Sequence, residues 1–389
     1  MNNRLLGSSL LIAGCSIGSG MLAIPVMSGA AGFFPSLLIF FIAWAVMTVA
    51  GLIYAQVTAS FDEEVNLMSM AENVFSKGMK WATFAVYSSF FLSLLIAYYI
   101  ATTRLIIDFA VTLFGVAPPF FIVSTGVLCL LLFFLIRGLR SVDHINRLLV
   151  AGLLLCYGTI IGVGMQHVTF DALCYKGWNH ALFVLPVTLT AFGFQNLVPS
   201  LYVYLKKDLK QLFKAICIGS FLTLTVYILW QAVILGLMPF STEGEWIAAQ
   251  KEGHMVLNIF QQLKEKNILL FFLRSFTFFA VTSSFLPVAF SFFDFIRDGF
   301  KERERTERAH PYISFIVLFV PFCIALIAPS IFLLALSYVG GIAAMCIFVL
   351  LPAVIAWKKK VCNPYLLSTM GIIGTLIIIW TIIVEVSVL

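Results

Sequence analysis

Residues 13–25 read "AGCSIGSGMLAIP", three glycines, two serines and a proline inside an apolar run that begins near residue 5. Four readings compete for this stretch. After the opening "MNNR", the segment "IAGC" has the form of a lipoprotein cleavage and lipidation site. Gly14-Cys15-Ser16-Ile17-Gly18 is a G-x-S-x-G, the spacing that presents a nucleophilic serine. Gly14 and Gly18 also make a G-x-x-x-G pair, which lets membrane helices pack closely. The fourth reading is a built interruption in a membrane helix. The rest of the chain decides among them.

The chain has 389 residues, 61% of them hydrophobic and 11% charged, against about 25% charged in a soluble domain. Such a surface needs lipid as its solvent, so the chain is expected to be one integral membrane domain. The net charge of +6 does not point to nucleic acid, because the basic residues sit between apolar runs and serve to orient loops. Eight cysteines are present with no C-x-x-C pair. Most lie in apolar runs, so they read as small buried hydrophobes rather than a disulfide or zinc framework.

A hydrocarbon core about 30 Å thick needs roughly 20 apolar residues per helix. Eleven runs qualify, at about 5–29, 35–60, 82–109, 119–136, 148–167, 181–204, 214–238, 268–296, 312–328, 330–357 and 365–387. With the amino terminus in the cytoplasm, eighteen of the 24 basic residues fall inside and four outside, while Arg104 and Arg274 lie within or at the edge of spans. The positive-inside rule therefore fixes this orientation and leaves the carboxyl terminus outside. It also removes the lipoprotein reading, since no soluble body follows Cys15. The longest polar segment, 239–267, is external, as a surface helix or a lid over an outer vestibule.

A second interruption matches the first. Residues 188–201, "TLTAFGFQNLVPSL", lie five spans later and again place glycine and polar side chains before a proline (Gly193 to Pro199, as Gly20 to Pro25). Glycine costs a helix about 1 kcal/mol relative to alanine and proline about 3. Paired weak points in two five-helix halves are the signature of an inverted-repeat transporter. Unwinding exposes backbone groups that hydrocarbon cannot satisfy. Freed amides at a half-helix N-terminus then suit a carboxylate, and freed carbonyls suit an ammonium or a coupling ion. An amino acid is the natural ligand. The protease reading fails for want of a base: His144, His167, His180, His254 and His310 lie in loops or at span ends, and no lysine is mid-span.

Several stretches resemble one family. "NRLLGSSLLIAGCSIGSGMLAIPV" (3–26), "FGFQNLVPSL" (192–201), "SFLPVAFSFFDF" (284–295) and "ALSYVGGIAAM" (335–345) are similar to segments of the bacterial aromatic amino acid permeases, nearest their tyrosine-specific members. The likeness runs to about Pro364. It implies an all-α membrane fold of eleven transmembrane helices, a leucine-transporter-type five-plus-five inverted repeat with discontinuous helices 1 and 6. The first repeat then covers about 1–167 and the second 181–357, with the added helix at 365–387. The resemblance also implies a bacterial inner-membrane location and proton-driven uptake of tyrosine or a related aromatic amino acid. No cofactor beyond the ion gradient, no nucleic acid and no obligate protein partner is implied. Two departures stand out. Gln195-Asn196 replaces the His-Gly often found after Phe-Gly-Phe, and the helix 5 stretch "RLLVAGLLLCYG" (147–158) lacks the lysine that some relatives carry.

The candidate substrate residues are Gly14, Cys15, Ser16, Gly18, Ser19 and Gly20 at the first break, and Phe192, Gly193, Phe194, Gln195 and Asn196 at the second. A mid-span amide facing lipid is costly, so Gln195 and Asn196 are expected to face a cavity or a polar partner. In the implied fold helix 3 passes the substrate, and the Tyr98 phenol is the candidate for its carboxylate, unless it is an ordinary buried tyrosine. Thr282, Ser283 and Ser284 are candidates for a sodium site, or else hydroxyls bonded to their own helix. Asp294 is the candidate proton carrier, or a partner for Arg297. Arg104 and Asp108, four apart on helix 3, are placed to pair near the outer interface. Within the transporter class the alternative is a different amino acid, or sodium as the driver. The rival class is a channel or membrane-embedded binding protein without coupling, and a channel calls for continuous polar pore-lining faces that these helices lack.

Overall fold

A computed structural model describes residues 3–18, 20–61, 67–137, 139–237, 267–299 and 311–388. Ser19, most of the external segment and the basic run at 301–308 lie outside the described residues, as does the side chain of Asp294. The described residues are helical and contain no strand. In order they form α1 (Asn3–Ser16), α2 (Gly20–Gly29), α3 (Phe33–Ala59), α4 (Leu67–Val74), α5 (Lys77–Phe114), α6 (Phe120–Arg137) and α7 (Leu139–Gly164). Then follow α8 (Phe170–Leu173), α9 (Leu185–Ala191), α10 (Val198–Tyr204), α11 (Leu209–Leu237), α12 (Asn267–Gly299) and α13 (Pro311–Ile327). The chain closes with α14 (Phe332–Tyr338), α15 (Leu351–Lys359) and α16 (Pro364–Val388).

Nine helices among the described residues are long and apolar enough to cross a membrane, and the bent α1–α2 pair makes ten. The apolar α13 is 17 residues long. These elements follow the apolar runs of the sequence, and the protein is a multi-pass membrane protein.

Local chemistry sets the helix ends. Ser76 caps α5 by accepting from the Met79 N–H at 3.4 Å, and Gly115 closes it in the left-handed region, φ 68°, donating to the Val111 carbonyl. Asp208 starts α11 by accepting from the Gln211 N–H at 3.0 Å. That backbone bond, then the Gln211 side chain, holds the Asp208 carboxyl below its usual range.

Position in the bundle follows from burial. The most apolar windows of Phe332–Lys359 and Trp178–Tyr204 are 72% and 67% buried, whereas those of α6 and α16 are 28% buried. The first two are central and the last two turn most of their surface to lipid. Irregular geometry is found in both of these central spans, whereas α5, also 67% buried, is one unbroken helix. α1 and α2 meet at 52°. The second break separates α9 from α10 with a 3-10 turn at Gln195–Leu197, and Pro199 is pre-set for the first turn of α10. Between α14 and α15 the chain runs as two π-helical stretches, Val339–Ala343 and Met345–Leu350, ahead of Pro352, which has no N–H to return to Phe348.

Candidate functional site

The two breaks face each other. A Cβ built on Gly20 would lie 2.8 Å from both Cα and Cβ of Ala191, so α2 touches the end of α9 with nothing between their backbones. Beside this contact is a cavity of about 60 Å³. Cys15, Ser16, Gly18 and Gly20 line it from the first break, and Thr190, Gly193 and Asn196 from the second. Cys15 Sγ donates across the gap to Asn196 Oδ1 at 3.6 Å. Thr190 Oγ1 donates to the Leu336 carbonyl at 2.7 Å, tying the second break to α14, just before the π-helical segment. Gly340 lies so close there that an added Cβ would stand 2.6 Å from the Thr190 nitrogen.

Other expected residues divide between the cavity and its surroundings. Tyr98 of α5 lines the cavity. Its neighbour Tyr99 turns away, edge-on to Phe285 at 4.8 Å between ring centroids. Ser284 of α12 faces the first break, with Oγ 2.7 Å from where a Gly18 Cβ would stand. Ser283 bonds its own helix at the Ala280 carbonyl, 3.3 Å away, and the Thr282 hydroxyl is buried with no partner among the described residues. Ser16 Oγ donates to the Ile12 carbonyl at 3.1 Å, a bond to its own helix rather than to a base. Among the described residues Gly14 has nothing within 4 Å of an added Cβ, and Gly18 is the one of the pair that makes a close approach there. Arg104 donates to the Pro329 carbonyl at 2.9 Å, joining α5 to the turn before α14.

Phe192, Phe194 and Gln195 lie outside the cavity lining. Gln195 is fully buried. Its Oε1 accepts from the Phe194 N–H at 2.9 Å, and its Nε2 donates to the Met47 carbonyl of α3, also at 2.9 Å. The amide therefore satisfies the break's own backbone and fastens it to α3. Phe194 presses on α3 as well, with its ring 2.7 Å from a Cβ built on Gly51. Phe192 packs edge-on to Tyr227 at 5.2 Å.

Sequence reasoning missed two groups. The first is the aromatic wall of the cavity: Phe90 and Phe91 of α5, and Phe348 of the π-helical segment. Phe90 and Phe348 meet edge to face, 5.4 Å apart at 89°. In an apolar run such rings look like those facing lipid. The second is a set of polar side chains on α11. Pro25 cannot donate to the carbonyl of Met21, four residues before it, and Trp230 Nε1 supplies that bond at 3.0 Å. Gln231 Nε2 donates to Ser28 Oγ. Tyr227 places its hydroxyl 2.5 Å from the Ser16 carbonyl and 2.8 Å from that of Ala191. The available signal was a tyrosine, a tryptophan and a glutamine within five residues of one span, donors that a membrane interior must match with acceptors.

The arrangement is a small cleft between two interrupted helices, lined by polar groups and by aromatic rings. The sequence pattern of the tryptophan/tyrosine permease family matches residues 1–389. The chain is 30% identical to the tyrosine-specific transport system 1 of Haemophilus influenzae over 92% of this chain and 89% of that protein. It is 28% identical to the tyrosine-specific transport system 2 of the same organism, over 94% and 90%. Identity to the tryptophan-specific transport protein of Pseudomonas aeruginosa is also 28%, over 92% and 86%. The chain belongs to the tryptophan/tyrosine permease family.

Proposed function

We propose that this protein is a secondary active transporter that imports aromatic amino acids, tyrosine first among them, by proton symport and alternating access. The observation that carries the reading is one cavity bounded by both helix breaks and by Phe90, Phe91 and Phe348. Backbone N–H groups at the start of α2 suit the carboxylate of an amino acid, and carbonyls freed at the breaks suit its ammonium. The rings suit an aromatic side chain. Tyr98 and Asn196 supply further polar contacts at the cavity wall. The cavity of about 60 Å³ is far below the roughly 300 Å³ at which ligand pockets begin, so admitting such a substrate requires the flanking helices to part. That motion is what alternating access demands.

Uptake of the twenty amino acids into vesicles, with proton and sodium gradients imposed separately, tests this reading. Accumulation of tyrosine or tryptophan under an inward proton gradient alone supports it. Accumulation that follows sodium and ignores pH replaces the proton by sodium, with Ser284 and its neighbours as the ion site. Counterflow of labelled tyrosine separates a carrier from a channel, since only a carrier exchanges substrate without net flux.

The proposal includes eleven spans arranged as two inverted five-helix repeats plus α16, with the amino terminus in the cytoplasm. A reporter fused after Leu389 is then active only outside the cytoplasm, and one inserted within residues 301–308 only inside it. The reverse pattern sinks this orientation. For coupling, Asp294 on α12 is the proposed proton carrier, because a carboxylate inside a membrane has a functional role by default. Asp294→Asn is expected to retain tyrosine exchange and lose accumulation driven by an inward proton gradient. A variant that still concentrates tyrosine under that gradient removes Asp294 from the role.

A further inference from the structure

Two helices end inside the membrane, α1 at Ser16 and α9 at Ala191. In an unbroken helix the Ser16 carbonyl accepts from residue 20 and the Ala191 carbonyl from residue 195. Both of those residues lie across a break. Tyr227 answers both carbonyls instead, its oxygen 2.5 Å from one and 2.8 Å from the other. The side chain is fully buried, and its ring is held edge-on by Phe192. A phenol carries one proton. Two carbonyl oxygens therefore converge on a single hydrogen.

Half-helix C-terminal ends carry the negative end of the helix dipole. Convergent carbonyls at such ends are how broken-helix transporters hold a coupling cation. Here the point of convergence is occupied by an O–H dipole belonging to the protein. We propose that Tyr227 sets the ion preference of this transporter: its phenolic proton stands where a cation would bridge the two breaks, and so keeps that junction independent of sodium. The inference rests on the transport reading above. It concerns the Ser16 and Ala191 carbonyls rather than the Ser284 hydroxyl or Asp294, the groups named above for the coupling ion. Tyr227→Phe keeps the ring and removes the donor. The two carbonyls then lose their shared donor and remain as two hard oxygen ligands, a partial shell that a small cation can share while keeping waters as its other ligands.

The test uses purified full-length protein in proteoliposomes, with tyrosine exchange measured at fixed pH in sodium chloride or choline chloride. Wild-type exchange is expected to be the same in both salts. Tyr227→Phe is expected to be slower in choline by about tenfold, the scale of one hydrogen bond lost at a buried site, and to recover most of that rate in sodium. Thermal unfolding in detergent provides a readout that needs no transport: sodium raises the midpoint of Tyr227→Phe and not that of the wild type. Tyr227→Met, flexible and equally without a donor, replaces the Phe variant if that one is not inserted.

Wild-type rates for the variant in choline overturn the proposal. So does a variant that is slow in both salts and shows no midpoint shift, or an equal sodium response in variant and wild type. If the wild type exchanges no tyrosine, the transport reading fails, and the unfolding measurement still decides whether the junction takes sodium.

Discussion

Gly20→Leu is expected to abolish tyrosine uptake while leaving the chain inserted in the membrane. A Cβ at this position stands 2.8 Å from the Cα and Cβ of Ala191 and 3.2 Å from its nitrogen. Those atoms belong to a helix backbone, which cannot rotate aside as a side chain does. Leucine must push α2 from α9, the two half-helices that meet beside the cavity. A misplacement of about 1 Å in a positioned site already costs about a hundredfold in rate. Gly193→Leu is expected to be nearly as severe, since its Cβ stands 3.0 Å from the Thr190 carbonyl oxygen. Gly18→Ala is milder, because the atom in its way is the Ser284 hydroxyl, the end of a side chain that can turn. Gly14→Ala, with open space around it, is expected to transport like the wild type. Labelled tyrosine uptake, normalised to the amount of protein in the membrane, reads this order. Normal uptake by both leucine variants means that the glycines serve ordinary packing.

The same residues show how much of the site was legible in the sequence. Both breaks were, because glycine followed by proline in an apolar run has a known cost that only a compensating structure repays. The span positions were legible for the same kind of reason: hydrocarbon sets a length, and a run of apolar residues either meets it or does not. The direction of Gln195 was not. Its amide had to find partners, and a cavity and a neighbouring backbone satisfy that requirement equally well. Which one prevails depends on the turn at Gln195–Leu197, whose 3-10 geometry no periodicity announces. The π-helical stretch facing Thr190 is hidden likewise, since "ALSYVGGIAAM" reads as an ordinary apolar helix with two glycines.

Tyr227 and Trp230 were hidden for a different reason. Each answers a carbonyl freed by something far away in sequence, a break in one case and Pro25 in the other. The need was visible at the proline and the donor was visible on α11. Their pairing exists only in three dimensions. This division has a mechanical consequence. The interrupted helices are held by side chains of α11 and by the backbone of α3, neither of which lines the cavity, so the geometry of the cavity is set largely from behind.

Gln195→Leu and Asn196→Ala are therefore expected to fail in opposite ways, although the two amides are adjacent. Leucine at 195 strands the Phe194 N–H in a fully buried place, at a cost of about 1–3 kcal/mol, and loosens the second break from α3. The expected result is a lowered unfolding midpoint in detergent and less protein in the membrane, with the KM for tyrosine of the surviving protein little changed. Asn196 is partly exposed at the cavity, and its Oδ1 accepts from the Cys15 thiol, so its N–H donors are the groups it can offer a ligand. Asn196→Ala is expected to unfold at the wild-type temperature and to raise the KM about tenfold, the scale of one hydrogen bond to a charged partner. Measuring KM and unfolding midpoint for both variants separates the roles. A Gln195→Leu protein with wild-type stability and a raised KM would turn that amide toward the substrate, and the anchoring of the second break to α3 would then rest on Phe194 alone.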